Sequence, residues 1–166
     1  MIYSQGDIVV HQSFGVGRVL NIETKNTGSG KRLYYRMSFD KTTVWVPVRE
    51  NEGGGVRPIT PKSDLRRYRK LLKSSPEPLE GDFRERQVEL EKRMEAGTYE
   101  SLCAVVRDLS GRLSRTSLTH YEKTLLKQTH AALISEWSQA SGVSPDQACD
   151  EIEACLRVGR QILAEV

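Results

Sequence analysis

The side chains with the most chemistry to offer are His11, His120 and His130, Cys103, Cys149 and Cys155, and Lys31 within Gly28-Ser29-Gly30-Lys31-Arg32. Their spacing does not assemble a catalyst. His120 and His130 are ten residues apart with no cysteine nearby, which is not the spacing of a zinc site. The glycine-flanked lysine lacks the eight-residue spacing and following helix of a phosphate-binding loop, and reads as a polar hairpin turn. No serine sits in a Gly-x-Ser-x-Gly elbow, and no nucleophile is paired with a base. Three cysteines in helical stretches fit buried thiols in a reducing cytoplasm better than disulfides. We expect no enzyme and no cofactor. What remains is binding chemistry, carried by aromatic and cationic side chains. The most concentrated set is Lys31 to Phe39, with Trp45 just beyond it. Strand alternation puts Leu33, Tyr35 and Met37 on one face and Tyr34, Arg36 and Ser38 on the other.

The elements that must position these residues come in two kinds. From Met1 to Thr60 the pattern is short and β-like. Ile8-Val9-Val10, then Val19 to Thr24, Leu33 to Phe39, Thr43 to Pro47, and Val56 to Ile59 are separated by glycine-rich turns, including Gly53-Gly54-Gly55. Pro47 ends its strand or confines it to an edge. Four or five such strands predict a small, strongly bent sheet or barrel, with the last strand closing it.

After residue 60 the period is helical. Lys62 to Lys73 places Leu65, Tyr68, Leu71 and Leu72 at helical spacing, with Arg66, Arg67, Arg69 and Lys70 between them. That basic face is either simply solvated or a contact for nucleic acid or an acidic partner. Ser74 to Gly81, with two prolines, reads as a loop or hinge. Asp82 with Glu85 forms a capping-box pattern before a helix whose stripe is Phe83, Gln87, Leu90 and Met94. A third helix runs from Tyr99 to about Ser110-Gly111. A fourth, Leu118 to Gly142, is capped by Thr119 and Glu122, with Trp137 on its apolar stripe. Ser144-Pro145-Asp146-Gln147 opens a fifth. The expected class is α+β: residues 1–60 a β module, 61–81 a helix and linker, 82–166 an all-helical bundle.

Net charge is +3, with six Lys/Arg against one Asp/Glu in residues 61–73 and four against eight in residues 74–100. A nonspecific polyanion binder is usually more basic, so any DNA contact is expected to be local. No apolar run approaches ~18 residues, so no transmembrane span is expected. The N-terminus lacks a basic region followed by an apolar one, so no signal peptide is expected.

The strings GDIVVHQSFGVGRVLNIE, VWVP and GVRPI, with the tyrosine-rich strand between them, resemble the N-terminal domain of the CarD/CdnL family of bacterial transcription regulators. LEKRMEAGTYESLCAVVRDLSGR and TLLKQTHAALISEWSQASGVSPDQACDEI resemble its helical C-terminal domain. The resemblance spans nearly the whole chain. It implies a Tudor-like barrel that binds the β subunit of RNA polymerase, and a compact bundle that contacts promoter DNA. It implies a soluble, cytoplasmic protein, associated with the nucleoid through polymerase and acting as a monomer with no membrane partner.

The resemblance also implies roles for residues. Lys25 and Trp45 stand where the family contacts polymerase, with Tyr34, Arg36 and Pro47 in the same region. Trp45 reads equally as barrel core, and Lys25 as plain surface. At Phe83 the family commonly has a tryptophan, which wedges into the minor groove at the upstream edge of the melted bubble. Phenylalanine is an available wedge of smaller size, but Phe83 also shares the Leu90/Met94 stripe and reads as core. Arg84 and Arg86 flank it within reach of phosphates. Thr119, His120 and Lys123 stand where the family contacts the DNA backbone, with Lys127 one turn on. Two other readings stay open. One is an adaptor that docks on polymerase and recruits a protein through its helices; the other is a Tudor-like peptide or RNA reader, which would need an aromatic cage.

Overall fold

The computed structural model describes residues 3–48 and 55–165. The chain divides into two compact units, Met1–Ile59 and Thr60–Val166. The first holds β1 (Ile8–His11), β2 (Gly15–Thr27), β3 (Gly30–Phe39), β4 (Thr42–Pro47) and β5 (Val56–Pro58). The second holds α1 (Leu65–Lys73), α2 (Phe83–Glu95), α3 (Tyr99–Leu113), α4 (His120–Ser141) and α5 (Pro145–Ala164).

The five strands form one antiparallel sheet in the order β4-β3-β2-β1-β5. This corrects the expectation of a closed barrel. The segment predicted to close the sheet does become β5, but its three residues all pair with β1, on the edge opposite β4. A strand that short has nothing left with which to bridge the two edges, and closure needs matched strand number, tilt and stagger. Of the Gly53-Gly54-Gly55 turn, only Gly55 falls among the described residues. Pro47 sits at the end of edge strand β4, where a missing N–H costs no ladder bond.

One face of the sheet buries Val9, Val19, Tyr35, Met37, Phe39, Val46 and Val56 together with Tyr3. The Tyr35 hydroxyl accepts a hydrogen bond from the Tyr3 amide at 3.0 Å, so its polar end is satisfied inside the core. The register of β2 against β3 shifts between Val19 and Asn21. This bulge at Leu20 inverts the alternation of β2: buried Val19 shares the core face with Ile22 and Thr24, which lie opposite Tyr35 and Leu33 and are exposed, while Asn21, Glu23 and Lys25 fall on the other face.

In the helical unit α1 lays Leu65, Tyr68 and Leu72 against Tyr99, Cys103 and Val106 of α3, Leu133 and Trp137 of α4, and Ile152 and Leu156 of α5. Trp137, expected on the apolar stripe of α4, is fully buried. A second cluster joins Leu79, Leu90, Val105, Leu109 and Leu125. Helix α3 runs past the expected stop at Ser110-Gly111 to Leu113. Gly111 there serves close packing: a Cβ on it would come within 2.3 Å of Pro76. Gly159 has the same role, since a Cβ would lie 2.5 Å from the Ser74 carbonyl.

Residues 74–81 are thereby strapped down. Asp108, 1% exposed, accepts hydrogen bonds from the Glu77 amide at 2.9 Å, Arg93 at 2.7 Å and Arg107 at 2.8 Å. A buried carboxylate with two guanidinium partners and an amide is satisfied; removing any partner would strand charge. At the start of the unit, Thr60 donates to the buried Glu136 carboxylate from its amide at 3.1 Å and its hydroxyl at 2.7 Å.

Candidate interaction surfaces

The first surface lies on the outward face of the sheet. Because of the Leu20 bulge, Glu23 faces Tyr34 and Lys25 faces Arg32 across the β2–β3 pair. Across β3–β4, Arg36 faces Trp45 and Tyr34 faces Pro47. Residues directly opposite in an antiparallel pair share a face, so Lys25, Tyr34, Arg36, Trp45 and Pro47 all fall on one side. Trp45 is 40% exposed and is not barrel core. Its indole N–H donates to the Glu23 carboxylate at 2.9 Å. The Lys25 ammonium lies 3.8 Å from the Trp45 ring centroid and 5.9 Å from that of Tyr34. Arg36 stands 6.0 Å from the Trp45 ring and 3.7 Å from Glu23.

The indole is thus fixed at its edge by a hydrogen bond and on its face by a cation. The Trp45 hydrogen bond lowers the Glu23 pKa, with partial burial opposing and Asn21, Arg36 and Lys25 reinforcing it. Glu23 was missed in the sequence. A strict period of two from buried Val19 would turn it inward, and only the bulge brings it to Trp45.

The second surface is built from two helix starts. Asp82 caps α2, its side chain accepting from the amides of Arg84 at 3.0 Å and Glu85 at 2.9 Å, with Glu85 closing the box onto the Asp82 amide. Phe83 is therefore the first helical residue, and it is 57% exposed. It does not share the burial of Leu90. Position N1 projects beyond the packed part of the stripe, and the Arg84 guanidinium lies 5.5 Å from its ring. Thr119 caps α4 in a second box with Glu122. His120, Lys123 and Lys127 are exposed along the first two turns.

Arg86 is placed differently from its neighbours. Its guanidinium donates to Glu122 at 2.7 Å and to the Gly81 carbonyl at 3.0 Å. Glu122, 1% exposed, also accepts from the Thr119 amide at 2.9 Å and lies 3.5 Å from Arg112. The first turns of α2, which carries Phe83 and Arg84, and α4, which carries His120 and Lys123, are linked through this carboxylate. Burial raises the Glu122 pKa, but the Arg86 hydrogen bond, the Thr119 amide and the two cations outweigh it, and the net shift is downward. The capping role of Glu122 was legible from spacing. Its partner Arg86, thirty-six residues upstream, was not.

Between α3, α4 and α5 lies an open groove of about 530 Å³, floored by Val106, Leu118, Leu126 and Leu156 with Lys123 and Lys127 at its side. Among the described residues no group of three or more His, Cys, Asp or Glu is arranged to hold a metal. No helix among them is long and apolar enough to cross a membrane.

Compared with known families, residues 3–60 match the CarD-like/TRCF RID domain and residues 67–153 match the CarD C-terminal domain. The chain is 26% identical over 148 residues to the Bacillus subtilis (strain 168) protein named "Putative transcription factor YdeB", covering 88% of this chain and 97% of that one. With both domain matches in family order and one of them alone covering more than half of the residues, the chain belongs to the CarD family.

Proposed function

We propose that this protein is a transcription regulator that docks on the β subunit of RNA polymerase through its sheet and holds upstream promoter DNA through its helical unit, stabilising the open complex. The observation that carries this reading is the exposure of Phe83 at the first position of a capped helix, beside a second capped helix bearing Lys123 and Lys127. An apolar side chain so placed can enter a kinked base step, and helix-start amides with nearby cations suit phosphate oxygens. The outward patch around Trp45, on the side of free edge strand β4, suits a protein partner. Exposed aromatic and arginine side chains anchor interfaces, and an unpaired edge accepts a partner strand. Two weak contacts on one chain reinforce each other, because polymerase supplies a high local concentration near the DNA.

Open-complex lifetime tests the wedge. Phe83→Ala is expected to shorten it, and Phe83→Trp to match or lengthen it. Equal lifetimes for the Ala variant and the parent would remove Phe83 from the mechanism. The α3–α4–α5 groove favours a second reading, in which the helices recruit a protein. Footprinting separates the two, since an adaptor gives no protection upstream of the bubble.

A further inference from the structure

The basic helix α1 has no part in either surface described above. Its inward residues, Leu65, Tyr68 and Leu72, are buried in the core. Away from that core, Arg66, Lys70 and Lys73 of α1 are exposed, as is Lys62 in the 3-10 turn that leads into it. Most arginines of the helical unit are committed: Arg69 to Glu151, Arg86 and Arg112 to Glu122, Arg93 and Arg107 to Asp108, Arg160 to Ser110 and Glu153. Lys62, Arg66, Lys70 and Lys73 form no such pair among the described contacts.

We propose that the outer face of α1 is a second phosphate-contact surface for duplex DNA; this rests on the reading of the helical unit as DNA-contacting. Arg66 and Lys70 stand four residues apart in α1, about 6 Å of helix rise, and Lys62 lies in the 3-10 turn just before it. Phosphates two steps apart on one DNA strand are about 6.8 Å apart along the duplex axis, so cations at this spacing match every second phosphate. The face carries no apolar anchor: the exposed large hydrophobic side chains all lie on other elements. A protein interface needs such an anchor at its centre, whereas a phosphate backbone does not. The surface is separate from the Phe83 site. Thr60 fixes the approach to α1 beside Glu136, sixteen residues along α4 from His120, which is roughly 24 Å of helix.

The test is the salt dependence of binding between the full chain and a fluorescently labelled duplex of mixed sequence. Three proteins are compared: the parent, a Lys62→Gln/Arg66→Gln/Lys70→Gln/Lys73→Gln variant, and a Lys123→Gln/Lys127→Gln variant, with thermal melts confirming that all three are folded. The α1 variant is expected to bind about tenfold more weakly at low salt. Its log–log salt slope should flatten by about 0.9 for each phosphate contact removed. An unchanged slope for the α1 variant, with a flattened one for Lys123→Gln/Lys127→Gln, overturns this inference and leaves the proposed function standing. Unchanged slopes for both overturn this inference and the helical DNA contact together. If the α1 variant keeps its slope but loses affinity for polymerase lacking promoter DNA, the face binds an acidic protein and the inference is wrong.

Discussion

On the sheet, Glu23, Lys25, Arg36 and Trp45 hold one another in place; at the helical end, Phe83 and Lys123 are placed by a residue that belongs to neither surface, Glu122. The first arrangement is local and exposed. Its hydrogen bond and cation–π contacts cost little to break, because water replaces them. The second is buried: its carboxylate accepts hydrogen bonds from the Thr119 amide and Arg86 and lies 3.5 Å from Arg112. A partner can reshape the first without unfolding anything. The second can be altered only by disturbing the packing of α2 on α4.

The sharpest way to break this contrast is to remove both carboxylates in turn. Glu122→Ala should cost about 3 kcal/mol, because two partly buried cations and a helix-start amide lose a buried partner. Glu23→Ala should leave stability close to that of the parent. Chemical denaturation reads both, and similar values would erase the distinction. Next in size, Trp45→Ala is expected to weaken binding to the polymerase β subunit by about 2 kcal/mol, roughly thirtyfold. Its folding stability should stay within about 0.5 kcal/mol of the parent. A large stability loss instead would mean that the indole serves the fold.

A smaller effect sharpens the helical side. The Glu122 pKa is depressed below its ordinary 4.5 in the folded protein. A depressed carboxylate contributes stability that is fully present above its unfolded pKa and lost as pH falls through its folded one. Denaturation midpoints of the parent should therefore decline more steeply below about pH 4.5 than those of Glu122→Gln, which has no charge to lose. Parallel curves would show that Glu122 is not held ionised by Arg86. The smallest change is expected from Lys25→Gln. Losing one exposed cation–π contact is worth about 0.5–1 kcal/mol of polymerase affinity, without change in the melt.

Much of the helical unit was written in short-range chemistry. Asp82/Glu85, Thr119/Glu122 and Ser144/Gln147 each announce a helix start that the structure realises as a capping box. Capping depends on residues three apart, so spacing alone reveals it. The strand alternation that separates Tyr35 and Met37 from Tyr34 and Arg36 was equally visible, for the same reason. The fate of Phe83 was not. Its helical stripe points toward Leu90, but whether the first turn is covered depends on where distant α4 begins.

By itself, then, the chain order of residues determined the two halves, the helix caps and the inward face of β3. The tertiary structure alone decided that the sheet stays open and that the Leu20 bulge brings Glu23 to Trp45. It also decided that Arg86 turns inward to Glu122 rather than outward, and that Arg66, Lys70 and Lys73 of α1 find no acidic partner among the described residues. The division has one physical cause. Caps and alternation are settled by neighbours a few bonds away, whereas closure, strand register and charge pairing depend on groups that meet only after distant segments have packed.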